Sequence, residues 1–553
     1  MEPLTNLFDK DKDIQSIYEG VQSGLREQLA TGLTGSARMI LVATMYKKTK
    51  RSCVVITHNL NQAQKAADDL SELLSKEEVL LYPADELITT EVALASPETL
   101  GNRIDVITRL TSGFSGVFVV PFAGLRKIFP PKRTWNQNAV SLSVGKQYPI
   151  ETLSEKLVHM GYERVEMVEK SGEFSIRGGI VDIYPVTFDQ PIRMEWFDDE
   201  VDSIRLFSVA DQRSTDKLFD VILPPAKELF ADANTLYQAG EHVQQLLTER
   251  LSKTKDPALR EKLQQSIGWD IEQLQSGLHF TGIYKYISQI YPQGESILGF
   301  LPTDSILIQD EPARIHETGK QLEREEAEWQ TALLEQGEML PSLKLSYSVE
   351  EVSKSNHQKI YLSLFMRQLP HMQAHNIVQF MCRSMQQFHG QMHVLKAELD
   401  RLIKAKYTIL FTASTEDRLA RLIRVLQDYG MEVTRRDDSV SLPVGKPVVR
   451  ISSLLNGFEM SSTKLAVITE GEVFTQKQRR VRRSTKLDHA EKIKDYQELK
   501  PGDYVVHVNH GIGKYLGIET LSVAGLHKDY MHIQYAGNDK LYVPVEQIDQ
   551  VQK

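Results

Sequence analysis

The chain has 553 residues, of which 41% are apolar and 25% charged, and its formal net charge is −9. This length is too great for one hydrophobic core and predicts three to five domains. The negative charge argues against a surface that binds nucleic acid throughout, and the two cysteines exclude a disulfide scaffold and a four-thiolate zinc site. Because no apolar run approaches the roughly 20 residues of a membrane helix and the N-terminus has no apolar signal core, we expect a cytoplasmic protein without membrane contact.

Apolar segments near the N-terminus alternate between helix and strand patterns. We predict a helix at Ile14–Ala30, a strand at Cys53–Thr57, a helix at Pro97–Leu110 and a buried strand at 116–120. This alternation is typical of an α/β domain with a parallel sheet.

The segment GLTGSARM, residues 32–39, lies where a phosphate-binding loop would open a helix. A working loop ends in glycine, lysine and a hydroxyl residue, because the backbone approaches the phosphates, lysine binds them and the hydroxyl holds Mg²⁺. Those positions are Ala37, Arg38 and Met39 here, while an apolar strand at 305–309 still ends in two acids. We therefore predict a degenerate RecA-like (P-loop NTPase-like) domain that holds no cofactor. Its inactive nucleotide site would consist of Gly32, Gly35, Ala37, Arg38, Met39, Asp310 and Glu311.

Short alternating runs between residues 162 and 214, separated by turn signals, predict a compact and mostly antiparallel β unit. Arg177, Arg193 and Phe197 lie on its strands, and arginine and aromatic side chains are enriched at interface hot spots. The alternative is that the arginines only form salt bridges within the sheet, to Asp182, Glu195 or Asp199. The unit lies between the two halves of the nucleotide site. We therefore predict that residues 128–218 are inserted into a domain formed by residues 1–127 and 219–345.

A second α/β pattern follows residues 346–357, which we interpret as a linker because they are polar. We predict a small α/β middle domain at 358–475, with a helix at Phe388–Ala405. Two histidine pairs in it have the i, i+4 spacing of metal ligands. No supporting acid lies nearby, however, so we predict no metal. The pairs are His371/His375 and His389/His393.

The last part of the chain begins with a basic stretch. Residues 476–496 predict a solvated basic linker, and the sharper alternative is an arm near DNA or an acidic partner. Residues 497–553 then carry about five short strand patterns separated by glycines, which are typical of a small SH3-like or Tudor-like barrel.

Two stretches of the sequence resemble known families. GEFSIRGGIVDIYP (172–185) and PIRMEWFDDEVDSIR (191–205), followed by QRS, resemble the UvrA-binding module shared by UvrB and the bacterial transcription-repair coupling factors. This resemblance implies that Arg177, Arg193 and Phe197 contact UvrA. HVNHGIGKYLGIETL (507–521) and LYVPV (541–545) resemble the RNA-polymerase-interacting domain of the same factors and of CarD-type regulators. This implies contact with the polymerase β subunit through an exposed strand at Ile518–Val523, at the residues Thr520, Leu521 and Ser522.

Together these resemblances imply the N-terminal half of a transcription-repair coupling factor. The family has the same degenerate loop, and its ATP-dependent double-stranded DNA translocase, a superfamily 2 helicase motor that uses ATP and Mg²⁺ and makes the main DNA contact, follows the polymerase-binding domain. We find nothing like that motor before Lys553. We expect an adaptor without catalytic residues that binds stalled RNA polymerase and recruits UvrA to start nucleotide excision repair of the transcribed strand. The alternatives are a UvrB-like helicase, which would need a lysine at position 38, and a CarD-type transcription regulator, which would leave residues 1–480 unexplained.

Overall fold

The computed structural model describes residues 2–84, 97–209, 212–280, 282–366, 372–436, 441–474, 502–507, 511–523, 526–534, 540–544 and 551–552. Contacts divide the chain into two compact units, residues 1–475 and 476–553, which we treat separately. The predicted basic linker at 476–496 and His371 lie outside the described residues. Among the helices that are described, none combines the length and apolarity that crossing a membrane requires.

The N-terminal part alternates helices and strands, as its apolar pattern predicts. The predicted helix at Ile14–Ala30 is wrong in its second half, because the helix ends at Gln22, Gly24 turns the chain with φ +80°, and a buried strand follows. The elements are α1 (Glu2–Asp9), α2 (Lys12–Gln22), β1 (Glu27–Thr31), α3 (Ala37–Thr49), β2 (Cys53–Thr57), α4 (Leu60–Leu73), a 3₁₀ turn (Lys76–Glu78), β3 (Val79–Leu81), α5 (Pro97–Thr111), β4 (Val117–Pro121) and α6 (Phe122–Arg126).

The next part forms a β-rich domain whose strands confirm the predicted antiparallel unit. The helix α7 (Lys132–Asn138) precedes this domain and buries Trp135 in the core of the N-terminal part. The elements of the domain are β5 (Val140–Ser143), α8 (Ile150–His159), β6 (Glu163–Arg164), β7 (Glu173–Arg177), β8 (Ile180–Ile183), β9 (Ile192–Phe197), β10 (Glu200–Phe207), β11 (Ser214–Leu218) and β12 (Asp220–Leu223). The strands β6 to β11 form one sheet in chain order, in which the β6–β7 pair is parallel and the others are antiparallel. The strand β12 pairs with β5, and Leu223 and Ala226 belong to the same core. The domain therefore extends past the predicted boundary at 218.

The chain then returns to the N-terminal part through helices and further strands of its sheet. The elements are α9 (Ala233–Lys253), α10 (Pro257–Gln275), a 3₁₀ turn (Ile283–Tyr286), α11 (Ile287–Ile290), a 3₁₀ turn (Ile297–Phe300), β13 (Ile306–Asp310), α12 (Pro312–Gln336), α13 (Val349–Ser353), β14 (Gln358–Ser363) and β15 (Asn376–Gln379). The predicted linker at 346–357 is not a linker, because α13 buries Val349 in the same core as Phe122 and Ile315.

Seven of the described strands form one parallel sheet in the order β15-β1-β14-β13-β2-β4-β3. Because all seven run in one direction, the loops that follow β1, β13, β14 and β15 meet at one edge of this sheet. The strands β14 and β15 lie in the region predicted as the start of the middle domain, but they pair with β1 and β13. The strand β14 buries residues 360–363, whereas β15 buries only Val378. Apolar strand patterns do not reveal which sheet a strand joins, which explains the difference.

The remaining elements of the first unit form a second sheet. They are β16 (Cys382–Ser384), α14 (Met392–Lys404), β17 (Thr408–Ala413), α15 (Glu416–Asp428), β18 (Thr434–Arg435), β19 (Val448–Ile451), β20 (Phe458–Met460), β21 (Leu465–Thr469) and α16 (Glu470–Val473), with the strands in the order β16-β20-β21-β17-β19-β18. The predicted helix at Phe388–Ala405 is shorter, since His389 has φ +50° before the helix begins at Met392.

The second sheet shares a hydrophobic core with the first part of the chain. Phe458, Met460 and Val467 on one face of this sheet pack into one cluster with residues of α1, α3 and α4. The rings of Phe8 and Phe458 meet edge to face with centroids 6.2 Å apart. The second sheet is therefore packed on the N-terminal part of the unit rather than tethered beside it.

A buried ion pair joins the segments before and after the β-rich domain. Lys127, which precedes α7, donates from Nζ to Oε2 of Glu228, which follows β12, at 2.8 Å. Tyr82 also donates its hydroxyl to this carboxylate, and Arg103 lies 3.6 Å from it. Burial alone would raise the pKa of Glu228, but Lys127 and Arg103 outweigh burial and hold its pKa below the usual range.

The second unit is an antiparallel sheet in the order β25-β24-β23-β22-β26. Its strands are β22 (Tyr504–His507), β23 (Gly511–Val523), β24 (Leu526–Gln534), β25 (Lys540–Pro544) and β26 (Val551–Gln552). Val505 and Ile533 are fully buried in it.

Candidate functional site

The β-rich domain presents one apolar and one polar face of its sheet. Along β9, Ile192, Met194 and Trp196 point into the core, so Arg193, Glu195 and Phe197 point to the opposite face. The strand register puts Asp182 of β8 directly opposite Arg193. The pleat therefore brings two predicted partner-binding residues, Arg193 and Phe197, onto one face, and Arg177 of β7 joins them because Ser175 of the same strand lies opposite Asp182.

Asp182 holds both arginines of this face. Its carboxylate accepts from Nε and Nη2 of Arg193 at 2.7 and 2.9 Å and from Nη2 of Arg177 at 2.6 Å. The Asp182 side chain is only 2% exposed, whereas those of Arg193 and Arg177 are 19% and 49% exposed. The hydrogen bonds from Arg193 to Asp182 raise the pKa of that guanidinium above its ordinary value. The local salt bridge is thus present, and it leaves part of each guanidinium, above all that of Arg177, available to a partner.

Phe197 stands at the tip of the β9–β10 hairpin. Its strand partner is Glu200, so the turn between them has two residues, and the first, Asp198, adopts φ +56°. Aspartate tolerates this left-handed conformation better than most residues do. Phe197 is the last outward residue before the turn and is 81% exposed. Large apolar side chains this exposed beside fixed arginines are typical of a protein-binding surface.

The predicted polymerase contact lies on β23. Its backbone pairs Thr520 with Asp529, Leu521 with Lys528 and Ser522 with His527 on β24. On its other side, β23 pairs with β22 only through residues 511–514. Within the described strands, the segment Ile518–Val523 is therefore paired along one side only, as an edge strand is. The strand begins at Gly511 rather than at the predicted Ile518.

The residues of the predicted nucleotide site do come together, at the edge of the parallel sheet. The side chain of Arg38 donates to Asp310 and Glu311 at 2.5 Å each and to the carbonyl of Leu33 at 2.9 Å. Burial would lower the pKa of Arg38, but the two acids raise it above its ordinary value; burial likewise raises the pKa of Asp310 against the effect of Arg38. Glu311 adopts φ +59°, a strained conformation for this residue. A cation of the chain itself thus neutralises the acids that would face a metal–nucleotide complex.

The loop that precedes Arg38 is also engaged. Gly32 has φ +84°, and a Cβ there would lie 2.4 Å from the carbonyl oxygen of Phe380, so only glycine fits. The Ala37 N–H donates within the loop to the Thr34 carbonyl at 3.2 Å, and the Ser36 N–H donates to the Asn456 carbonyl at 3.2 Å. Ala37 and Met39, the other altered positions, are buried.

Sequence reasoning missed two groups that organise these sites. The sequence analysis predicts Asp182 only as a salt-bridge partner, although an aspartate inside the apolar strand GIVDI indicates that a buried charge is paired. The sequence does not indicate the role of Asn456, because its contact with Ser36 joins residues 420 positions apart.

Comparison with known proteins agrees with this division of the chain. Residues 140–229 match the family described as UvrB interaction domain, and residues 499–553 match the family described as CarD-like/TRCF RID domain. The fold and these two matches define the class: a multidomain α/β protein with one region similar to the UvrB interaction domain and one similar to the CarD-like/TRCF RID domain.

Similarity also extends over the whole chain. It is 45% identical over 554 residues to the transcription-repair-coupling factor of Bacillus subtilis (strain 168), and 36% identical over 564 residues to those of Staphylococcus haemolyticus (strain JCSC1435) and Staphylococcus aureus (strain MRSA252). In each comparison all of this chain is covered, together with 47% of the relative, so the chain spans about half the length of the curated relatives it matches. The chain is a homologue of the transcription-repair-coupling factors, as its sequence resemblance predicts.

Proposed function

We propose that this chain is the adaptor part of a transcription-repair coupling factor. Its β-rich inserted domain binds UvrA, and its C-terminal domain, a CarD-type SH3-like or Tudor-like barrel, binds the β subunit of a stalled RNA polymerase in the bacterial cytoplasm. The observation that carries this proposal is the presence of both partner-domain matches in one chain. A protein with two such domains brings UvrA to polymerase and so starts nucleotide excision repair on the transcribed strand.

The UvrA contact we propose consists of Arg177, Arg193 and Phe197. Asp182 supports this assignment, because it fixes both guanidinium groups by charge-assisted hydrogen bonds before a partner arrives. Less conformational entropy is then lost on binding. The exposed Phe197 supplies apolar area next to them.

The polymerase contact we propose is the edge of β23, through Thr520, Leu521 and Ser522. One-sided backbone pairing leaves donors and acceptors that a strand of the partner can complete.

We further propose that the seven-stranded parallel sheet and the helices packed on it form a RecA-like fold with an inactive nucleotide site, so that this chain needs no ATP or Mg²⁺. The support is the ion pairing of Arg38 with Asp310 and Glu311. ATP hydrolysis, translocation and the main contact with double-stranded DNA would then belong to the part of the coupling factors beyond this chain's span. The same ion pairing disfavours a UvrB-like helicase.

A bridging assay tests the adaptor function. Immobilised polymerase β subunit should capture UvrA only when this chain is added. Truncation of a hot-spot arginine costs ~2 kcal/mol or more of binding free energy. Since each ~1.4 kcal/mol is a factor of ten, Arg177→Ala should reduce UvrA affinity about thirtyfold, and it should leave polymerase binding intact. Leu521→Arg should abolish polymerase binding and leave UvrA binding intact, because it puts a charge into the strand contact.

Arg164→Ala is the matched control, since Arg164 is an exposed arginine on β6 of the same sheet. It should change neither interaction. Bridging that survives both Arg177→Ala and Leu521→Arg would refute the proposed contacts, and the absence of bridging by the unaltered chain would refute the adaptor function.

A further inference from the structure

The connection between β19 and β20, residues 452–457, lies on the loop that would hold phosphate. The Asn456 N–H donates to Ser36 Oγ at 3.1 Å, and the Ser36 N–H donates back to the Asn456 carbonyl at 3.2 Å. A Cβ built on Gly35 would lie 3.1 Å from the Gly457 carbonyl oxygen and 3.2 Å from that of Asn456. The backbone of residues 452–457 is thus in contact with the loop at Gly35 and Ser36.

Helix α4 completes this contact from beside the loop. Asp69 accepts from the Leu455 N–H at 2.8 Å, and Glu72 accepts from the Ser452 hydroxyl at 3.0 Å. Asp69 and Ser452 are buried. A buried carboxylate without partners would be costly, so these hydrogen bonds favour the docked arrangement.

One backbone donor used in this contact is of the kind that a nucleotide would need. A phosphate-binding loop holds its anion with consecutive backbone N–H groups at the start of a helix. Here the Ser36 N–H is bonded to Asn456 and the Ala37 N–H to Thr34. Restoring the missing side chains would therefore not by itself free the Ser36 N–H.

We propose that residues 452–457 bind the former phosphate loop as an internal ligand. Nucleotide is then excluded by this occupation of the loop as well as by the absence of the glycine, lysine and hydroxyl groups. This inference rests on our proposal that residues 32–39 are a degenerate nucleotide site. The middle domain thereby gains a structural role, because it occupies that site and fixes its own sheet on the N-terminal fold.

Calorimetry with Mg·ATP on designed variants of the full chain tests this inference. A restored variant carries Ala37→Gly, Arg38→Lys and Met39→Thr. A released variant adds Ser36→Ala and Asp69→Ala, which remove two acceptors of the docked segment. Its matched control adds Ser453→Ala and Asp68→Ala to the restored variant instead, because these neighbours are exposed. Release is verified by hydrogen exchange, in which the amides of Leu455 and Asn456 should exchange about tenfold faster or more.

The restored variant and its control should give no binding heat, whereas the released variant should bind Mg·ATP. Binding by the restored variant with the segment still protected would overturn the inference, because the missing groups would then be the only barrier. The inference would also be overturned if the released variant gave no binding heat although its circular dichroism was native and its hydrogen exchange was fast. Binding by the unaltered chain would instead refute the degenerate site itself, and UvrA capture should be equal in all of them.

Discussion

Phe197 offers the sharpest separation between binding and stability on this chain. The side chain is 81% exposed at the hairpin tip, so Phe197→Ala removes almost no contact within the fold and should change the free energy of unfolding by no more than about 0.5 kcal/mol. Burying a phenylalanine side chain at an interface contributes about 1.5–3 kcal/mol. Since each ~1.4 kcal/mol is a factor of ten, we expect UvrA affinity to fall by between about tenfold and a hundredfold.

A second phenylalanine in the same domain provides the control. Phe219, between β11 and β12, is 82% exposed but does not belong to the Arg177–Asp182–Arg193 cluster. Phe219→Ala should leave UvrA affinity unchanged in a calorimetric titration, while thermal unfolding stays the same for both variants. Equal loss of affinity in the two variants would mean that exposed apolar area in general, and not the face with the arginines, governs binding. Unchanged affinity in Phe197→Ala would refute the assignment of that face.

Three further outcomes follow from buried charges. Asp182→Asn should lower the free energy of unfolding by about 2 kcal/mol, because guanidinium hydrogen bonds to a buried carboxylate weaken, and should reduce UvrA affinity about tenfold; an effect on stability alone would mean that Asp182 does not position the arginines. Burial raises the pKa of Asp69 to about 6, against the hydrogen bond from Leu455. Its protonated form is therefore favoured in the folded protein, and stability is lost as pH rises from about 4 to about 6. Asp69→Asn should remove this loss, so the melting temperature of the variant minus that of the unaltered chain should rise between pH 4.5 and 7.5. Asp68 and Glu72 are common to both proteins, so their titration affects both. A melting-temperature difference that stays constant with pH would contradict the linkage. Finally, calorimetry of the unaltered chain with Mg·ATP should show no binding heat, because Arg38 is ion-paired with Asp310 and Glu311. Binding with a micromolar dissociation constant would contradict this.

Local patterns predict much of this fold because they report burial directly. The strand at Cys53–Thr57 has the predicted bounds, and Ile192–Phe197 alternates inward and outward as its pattern indicates. The same alternation is enough to put Arg193 and Phe197 on one face. Contacts between distant segments leave no such trace, so the pairing of β14 with β1 and β13 and the docking of Asn456 on Ser36 could not be derived.

Errors in the predicted domain boundaries have one physical origin. A polar composition at 346–357 indicates exposure, yet a short helix needs only Val349 and Val352 to join a core. Similarly, β12 alternates exposed and buried residues after the predicted end of the inserted domain, and only its pairing with β5 assigns it. Periodicity identifies elements, whereas their partners depend on the tertiary arrangement.

The pairing of β5 with β12 has a consequence for how such a protein could be rebuilt. The β-rich domain begins at Val140, its last strand ends at Leu223, and these two residues are direct strand partners. Its host, the parallel-sheet part of the unit, therefore meets it as it would meet a short surface loop. A short closure costs little chain entropy, and the host could accept another domain of comparable end spacing, or a few residues in place of the whole domain, without bridging a gap. Recombination at these two strand ends would exchange the β-rich domain while the host fold stays intact, which makes them a suitable junction for chimeras that carry a different inserted domain.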